Sequence, residues 1–151
     1  MIAKQLKFIS KGVFILVFII ANACSSSDHS NGNDTSSNVN SDGLKVYAFH
    51  GTRQCETCKN MKKYTKATLD KYFKEELKSG EIVYQVVDVD DEANYKLAEK
   101  FEATGTALMI NKVKNGKDQI EDWSEFAFEY APGEQAEFEA EFKQMVEAKL
   151  K

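Results

Sequence analysis

Proline is almost absent: the 151 residues contain one, Pro132. Histidine occurs only at positions 29 and 50, and cysteine only at 24, 55 and 58. There is no spaced Ser/His/Asp set, phosphate-binding loop or dinucleotide fingerprint, so the chain carries no motif of the common hydrolases, nucleotide enzymes or nicotinamide enzymes, and no cofactor is implied. Basic charge is also in short supply. Lys and Arg number 20 against 24 Asp and Glu, a formal net charge of −4. Counterion release at nucleic acid needs a basic surface, so nucleic acid is excluded as a partner. The uninterrupted apolar run at residues 13–20 is well short of the roughly 20 residues that span a bilayer.

That run nevertheless belongs to a recognisable leader. Residues 1–23 hold Lys4, Lys7 and Lys11, no acidic residue, and a small-residue end at Ala21-Asn22-Ala23. A basic start, a short apolar stretch and small residues before a cut describe a secretory signal. Ala21-Asn22-Ala23-Cys24 resembles a bacterial lipobox, with Ala21 where leucine is usual. The resemblance implies a lipidated mature N-terminus at Cys24 and a membrane-anchored domain in the cell envelope, outside the cytoplasm. Removing the leader takes away three lysines and no acid, so −4 becomes −7 (17 basic against 24 acidic). Membrane contact is therefore expected from the lipid and not from electrostatic attraction to anionic lipid. Residues 24–43 then form a tether: from Ser25 onward it is Ser, Asn, Asp and Gly with Val39 as its one clear apolar residue. Such a segment cannot bury enough surface to offset its ordering entropy and is expected to be disordered, spanning roughly 25 Å. His29 within it reads as a solvated loop histidine.

Residues 44–151 form one domain by length. An apolar strand is expected at 44–50 and a long helix over 58–78. On that helix Met61, Tyr64, Thr68, Leu69, Tyr72 and Phe73 share a face, and Lys63, Asp70 and Lys74 lie opposite. Ser79-Gly80 ends it. A strand at 81–88 is apolar on both faces, which suggests a central place in the sheet. Asp90 or Asp91 caps a short helix running to Phe101, with Leu97, Ala98 and Phe101 inward. A strand at 106–113 turns through Asn115-Gly116 into another at 118–123. A last helix over 133–150 buries Phe138, Phe142, Met145 and Val146. Asp88, Asp90, Asp91 and Glu92 read as helix caps and a solvated turn, since their spacing is no calcium loop. Glu121, Asp122, Glu125 and Glu129 read as a solvated face around Trp123. Phe126, Phe128 and Tyr130 fit either a core or a partner surface.

Chemistry concentrates at Cys55-Glu56-Thr57-Cys58, between the first strand and the first helix. Two thiols two residues apart at a helix start can close a disulfide with little backbone movement. Free N–H groups and the helix dipole favour the Cys55 thiolate there. Thiol–disulfide exchange needs an accessible attacking thiolate and a second thiol to resolve the mixed disulfide. Arg53 supports that thiolate and Glu56 opposes it, so an intermediate redox poise is expected. His50, five residues before Cys55, is either a proton carrier or third soft ligand, or a strand-end histidine bonded to backbone.

The order strand–helix–strand–helix–hairpin–helix, with CxxC after the first strand, resembles the thioredoxin fold over residues 44–151. It implies an α/β, three-layer domain with a central four-stranded mixed sheet flanked by helices. The stretch KVYAFHGTRQCETCK at residues 45–59, with Tyr64-Thr65-Lys66 and Thr104-Gly105-Thr106, is similar to a small thioredoxin-like family described as a nitrophenyl-compound nitroreductase subunit. That family is associated with arsenic-resistance gene clusters. Thioredoxins place a cis-proline opposite the CxxC at the start of the third strand. Here Thr106 or Ala107 holds that place, and a cis bond without proline costs about 3 kcal/mol, so a trans bond and an altered docking edge are expected. Three readings follow. The first is an envelope thiol–disulfide oxidoreductase or electron relay using Cys55 and Cys58, serving a dedicated protein partner that donates or accepts electrons. The others are an adaptor without turnover and a soft-metal or arsenite binder; no metal site is assigned from the sequence.

Overall fold

A computed structural model describes residues Asp42–Lys151. The leader, the lipobox with Cys24, His29 and the tether up to position 41 lie outside the described residues. Within the described part the elements run β1 (Gly43–His50), α1 (Glu56–Tyr72), α2 (Lys74–Ser79), β2 (Ile82–Asp88), a 3₁₀ turn (Glu92–Asn94), α3 (Tyr95–Lys100), β3 (Ala107–Lys114), β4 (Lys117–Asp122), α4 (Ser124–Tyr130) and α5 (Gln135–Leu150). No helix among them is long and apolar enough to cross a membrane.

The four strands form one sheet in the order β2-β1-β3-β4. β1 and β2 are parallel, while β1–β3 and β3–β4 are antiparallel. Alternation along β1 divides the core. Leu44, Val46 and Ala48 join Met61 and Leu69 of α1 and Phe138, Phe142 and Val146 of α5 on one face. Tyr47 and Phe49 join Val87, Ala98, Phe101 and Met109 on the face covered by α3. Each large apolar side chain buried this way contributes about 1.5–3 kcal/mol. Helices on both faces of this mixed sheet, with a parallel β1–α1–β2 crossover and a closing hairpin, make the domain thioredoxin-like.

Three expectations are corrected, and one further element appears. The tether was expected through residue 43, yet Gly43 opens β1 and the Asp42 carboxylate accepts from Asn115 N at 2.9 Å and Gly116 N at 3.2 Å. Gly43 has φ +141°, and a Cβ there would stand 2.6 Å from the Glu81 carbonyl oxygen, so only glycine fits this entry to the sheet. β2 is an edge strand and not central. Its apolar character serves two different faces, Ile82 and Tyr84 against α1 and Val87 against α3, while Val86 is 45 % exposed. The helix expected over 58–78 breaks at Phe73 (φ −128°, ψ 35°), whose ring drives into the core, and Tyr72 stays exposed instead of joining the buried face. A further helix, α4, occupies residues to which the sequence assigns no element. It buries Ala127 and packs Phe126 on Phe138 and Phe142, leaving Phe128 exposed. The Asn115-Gly116 turn is as expected, with both residues at positive φ (54° and 69°), the geometry of a two-residue primed turn.

α1, which carries the cysteines, is clamped to α5 by a buried acid. Glu139 accepts from Lys71 Nζ at 2.9 Å and from Gln135 Nε2 at 2.6 Å. These bonds, Gln135 first, hold its carboxyl below the ordinary 4.5. A depressed carboxylate stabilises the fold above its unfolded value and loses that contribution as pH falls through its folded value. The thermal midpoints of wild type and Glu139→Gln should therefore differ at neutral pH and converge as pH falls below 4.5. A gap that stays constant into acid would remove Glu139 as the clamp.

Candidate functional site

Cys55 and Cys58 are joined in a disulfide, with Cα atoms 5.1 Å apart, inside the range a disulfide spans without moving backbone. Cys55 is the N-cap of α1. Its φ of −74° and ψ of 169° are extended, and its sulfur accepts the N–H of Cys58 at 3.1 Å. Sulfur here does what a capping hydroxyl or carboxylate does elsewhere, meeting an orphan amide of the first turn. Once the bond is reduced, the same amide and the positive helix end stabilise a Cys55 thiolate. Exposure separates the two thiols: Cys55 is exposed, and Cys58 is buried at 7 %. Cys55 is thus the accessible half of the disulfide and Cys58 the sheltered half.

Glu56, one residue on, pairs with Lys59 at 3.3 Å on the solvent side. This pairing draws part of the carboxylate's charge away from the thiolate it would oppose. Arg53 is exposed in the loop before the helix. The loop itself is held by a contact the sequence did not announce: Asp90 Oδ2 accepts the backbone N–H of Thr52 at 2.7 Å. That bond, more than any other influence, lowers the Asp90 carboxyl from its ordinary 3.8. The other acids also act as caps. Asp88 accepts from Asp90 N and Asp91 from Ala93 N, each at 3.0 Å.

His50 ends β1, directly opposite Asp88 in register. Its Nδ1 lies 3.0 Å from the Gly51 carbonyl oxygen and 3.2 Å from Gln54 Nε2. The contacts need opposite roles: a bare Nδ1 accepts from the Gln54 amide, whereas a protonated one donates to Gly51. Lys62 Nζ in turn donates to Gln54 Oε1, and its ammonium is held below its ordinary pKa by burial, partly offset by Asp88. Gln54, the residue before Cys55, thus links the strand-end histidine to α1. Among the described residues no group of three or more His, Cys, Asp or Glu side chains could hold a metal ion, and Cys55 and Cys58 stand as a disulfide, which offers a metal no thiolate.

Thr106 and Ala107 stand where the chain enters β3, with Ala107 opposite Phe49 in register, one residue before β1 ends at His50. No described peptide bond is cis, and Pro132 lies between α4 and α5. That segment also reaches α1: Asn60 Nδ2 donates to the Ala131 carbonyl at 3.1 Å, two residues beyond Cys58. Asn60, Gln54 and Lys62 are the positions that sequence reasoning missed, and Asp90, read there as a cap, holds the loop at Thr52 while Asp91 does the capping.

No protein-family model and no curated protein matches the chain. Among solved structures, a thioredoxin from Thermus thermophilus is similar at 20 % identity and TM-score 0.44, covering 68 % of this chain and 73 % of that one. Fasciola hepatica thioredoxin gives 27 % identity and TM-score 0.40 over 56 % of this chain and 70 % of that one. A malarial protein gives 21 % identity and TM-score 0.38 over 55 % and 83 %. Likenesses this loose carry no mechanistic weight, and the thioredoxin-like architecture rests on the chain's own strand order, its crossover and its Cys55–Cys58 pair at the start of α1.

Proposed function

We propose that the domain is a thiol–disulfide oxidoreductase or electron relay, tethered in the cell envelope through Cys24 and serving a dedicated protein partner. The observation that carries the chemistry is the exposed Cys55 sulfur, capped by the Cys58 amide, with the Cys58 thiol buried behind it. In the reducing direction the Cys55 thiolate attacks one sulfur of a partner disulfide, and the other partner sulfur leaves as a thiolate that takes up a proton. Cys58 then loses its proton and attacks Cys55 Sγ. The intramolecular disulfide returns and the second partner thiolate is released and takes up the proton that Cys58 gave, so two electrons and two protons have passed to the partner. Run backwards, the same steps oxidise a partner dithiol. The resemblance of residues 45–59 to the nitroreductase-subunit family supports a narrower version, in which the dithiol feeds electrons to a partner acting on aromatic nitro compounds. The missing proline at Thr106-Ala107 supports weak turnover of generic disulfides such as insulin.

Equilibration of the full-length protein in graded thiol–disulfide buffers, followed by alkylation and mass measurement, tests the central statement. One reversible two-electron transition at Cys55 and Cys58 is expected. Its potential should lie between about −270 mV, the reducing thioredoxin end, and about −120 mV, the strongly oxidising end. A pair that never reduces in that range, or reduces irreversibly, would leave the dithiol structural.

A further inference from the structure

The outer edge of β2 carries a groove outside the dithiol site. Among the described residues β2 has a strand on one side only, β1. Between that free edge and α1 lies a cavity of about 430 Å³ with Ala67, Tyr84 and Val86 on its floor and Lys62, Lys63 and Lys66 at its rim. A second cavity of about 400 Å³ shares Lys66, Asp70 and Tyr84 with the first and continues toward Val83 and Leu77. The two form one channel running along the edge strand. One acid, Asp70, lines it, and Lys66 already engages it at 2.5 Å. On a chain with net charge −4 this is a local excess of positive charge. Lys62 also bonds Gln54, so one end of the channel adjoins the residue before Cys55.

We infer that this edge takes an extended acidic–apolar segment of a protein partner, added as a strand beside β2. An edge strand offers unpaired N–H and C=O groups to a new strand, and the alternating pockets beside it read side chains. Apolar side chains fill the space over Val86 and Tyr84, and carboxylates meet the lysine rim. Charge decides against a second copy of this chain. Antiparallel β2–β2 pairing about a two-fold axis would bring both lysine rims to the same face of the seam and set Glu81 and Asp88 of the two copies near each other. The inference deepens the redox reading, since Lys62 of the channel bonds Gln54, the residue before Cys55.

Fluorescein-labelled octapeptides of alternating valine and glutamate, or valine and lysine, are to be titrated into the full-length protein by anisotropy. The glutamate peptide should bind saturably and more weakly as salt rises, and the lysine peptide should not bind. Lys63→Glu combined with Lys66→Glu, both exposed positions, should weaken binding about tenfold or more, as loss and reversal of rim charges do. The Cys55→Ser/Cys58→Ser protein should bind as wild type does. No binding, equal binding of both peptides, insensitivity to the lysine substitutions, or a wild-type dimer that the peptide cannot displace would each overturn the inference. Loss of peptide binding in a protein that still passes the redox titration removes the docking edge alone. A failed titration with binding intact removes the redox reading and leaves the edge.

Discussion

Cys55→Ser is expected to abolish thiol–disulfide exchange, while Cys58→Ser reacts once and stops. The difference follows from exposure. Cys55 is exposed and its sulfur receives the Cys58 amide at 3.1 Å, whereas Cys58 is 7 % exposed. With Cys55 alone present, attack on a partner disulfide produces a mixed disulfide that nothing in the domain resolves. Non-reducing electrophoresis of Cys58→Ser should therefore show an accumulating adduct with a disulfide probe, and Cys55→Ser should show none. Both variants should also unfold at the same midpoint as reduced wild type. Oxidised wild type should lie above all three by about 2 kcal/mol, the chain-entropy value for so short a closed loop. A Cys55→Ser protein that retains turnover, or that forms the trapped adduct through Cys58, would reverse the assigned roles.

The part of this site that the sequence announces is the part made of neighbours. Cys55 and Cys58 lie three apart at a strand-to-helix junction, and periodicity locates that junction because β1 alternates across two buried faces and α1 presents Met61, Tyr64, Thr68 and Leu69 together. Turns were legible for the same local reason: Gly80 at φ 82° and the Asn115-Gly116 pair each need a backbone that their residues permit. Contacts that support the thiols are another matter. Thr52 meets Asp90 across 38 residues and Asn60 meets Ala131 across 71, and no local pattern encodes either. The edge position of β2 was missed because strand hydrophobicity reports burial of faces, not the number of neighbours. The break at Phe73 is a tertiary effect. Its amide still reaches the Leu69 carbonyl at 2.9 Å, yet core packing of the ring turns the chain where propensity alone would continue the helix. α4 did have a local signal, Asp122 accepting the Ser124 amide at 2.8 Å as an N-terminal turn does. It was obscured by reading the surrounding acids as one solvated face.

The largest expected loss of stability comes from Phe142→Ala. Phe142 is fully buried on α5, edge-on to Trp123 at 5.9 Å and 85°, and it adjoins Phe138 at 5.7 Å and Phe126 at 6.1 Å. Phe138 in turn meets Tyr64 of α1 at 5.7 Å, so these rings tie α4 with its N-cap Trp123, α5 and the cysteine-bearing helix into one packed unit. Truncation removes the transfer energy of the ring and leaves a cavity whose walls, Trp123, Phe126 and Phe138 among them, cannot all close in. The cost should be about 3–5 kcal/mol, a large fraction of the 5–15 kcal/mol that holds a domain of this size. The thermal midpoint should fall by roughly 15 °C or more. Phe128→Ala is the matched control. It lies two residues from Phe126 on the same short helix but is 41 % exposed, and its truncation should stay within about 0.5 kcal/mol. Chemical denaturation of the two variants, each with its cysteines oxidised, measures the contrast directly. The folded fraction of Phe142→Ala should keep the wild-type redox potential, because neither cysteine belongs to this packed cluster. Equal losses for the two phenylalanines would mean that α4 is not packed on α5 as the ring distances require, and that Phe126 belongs with Phe128 on an open surface.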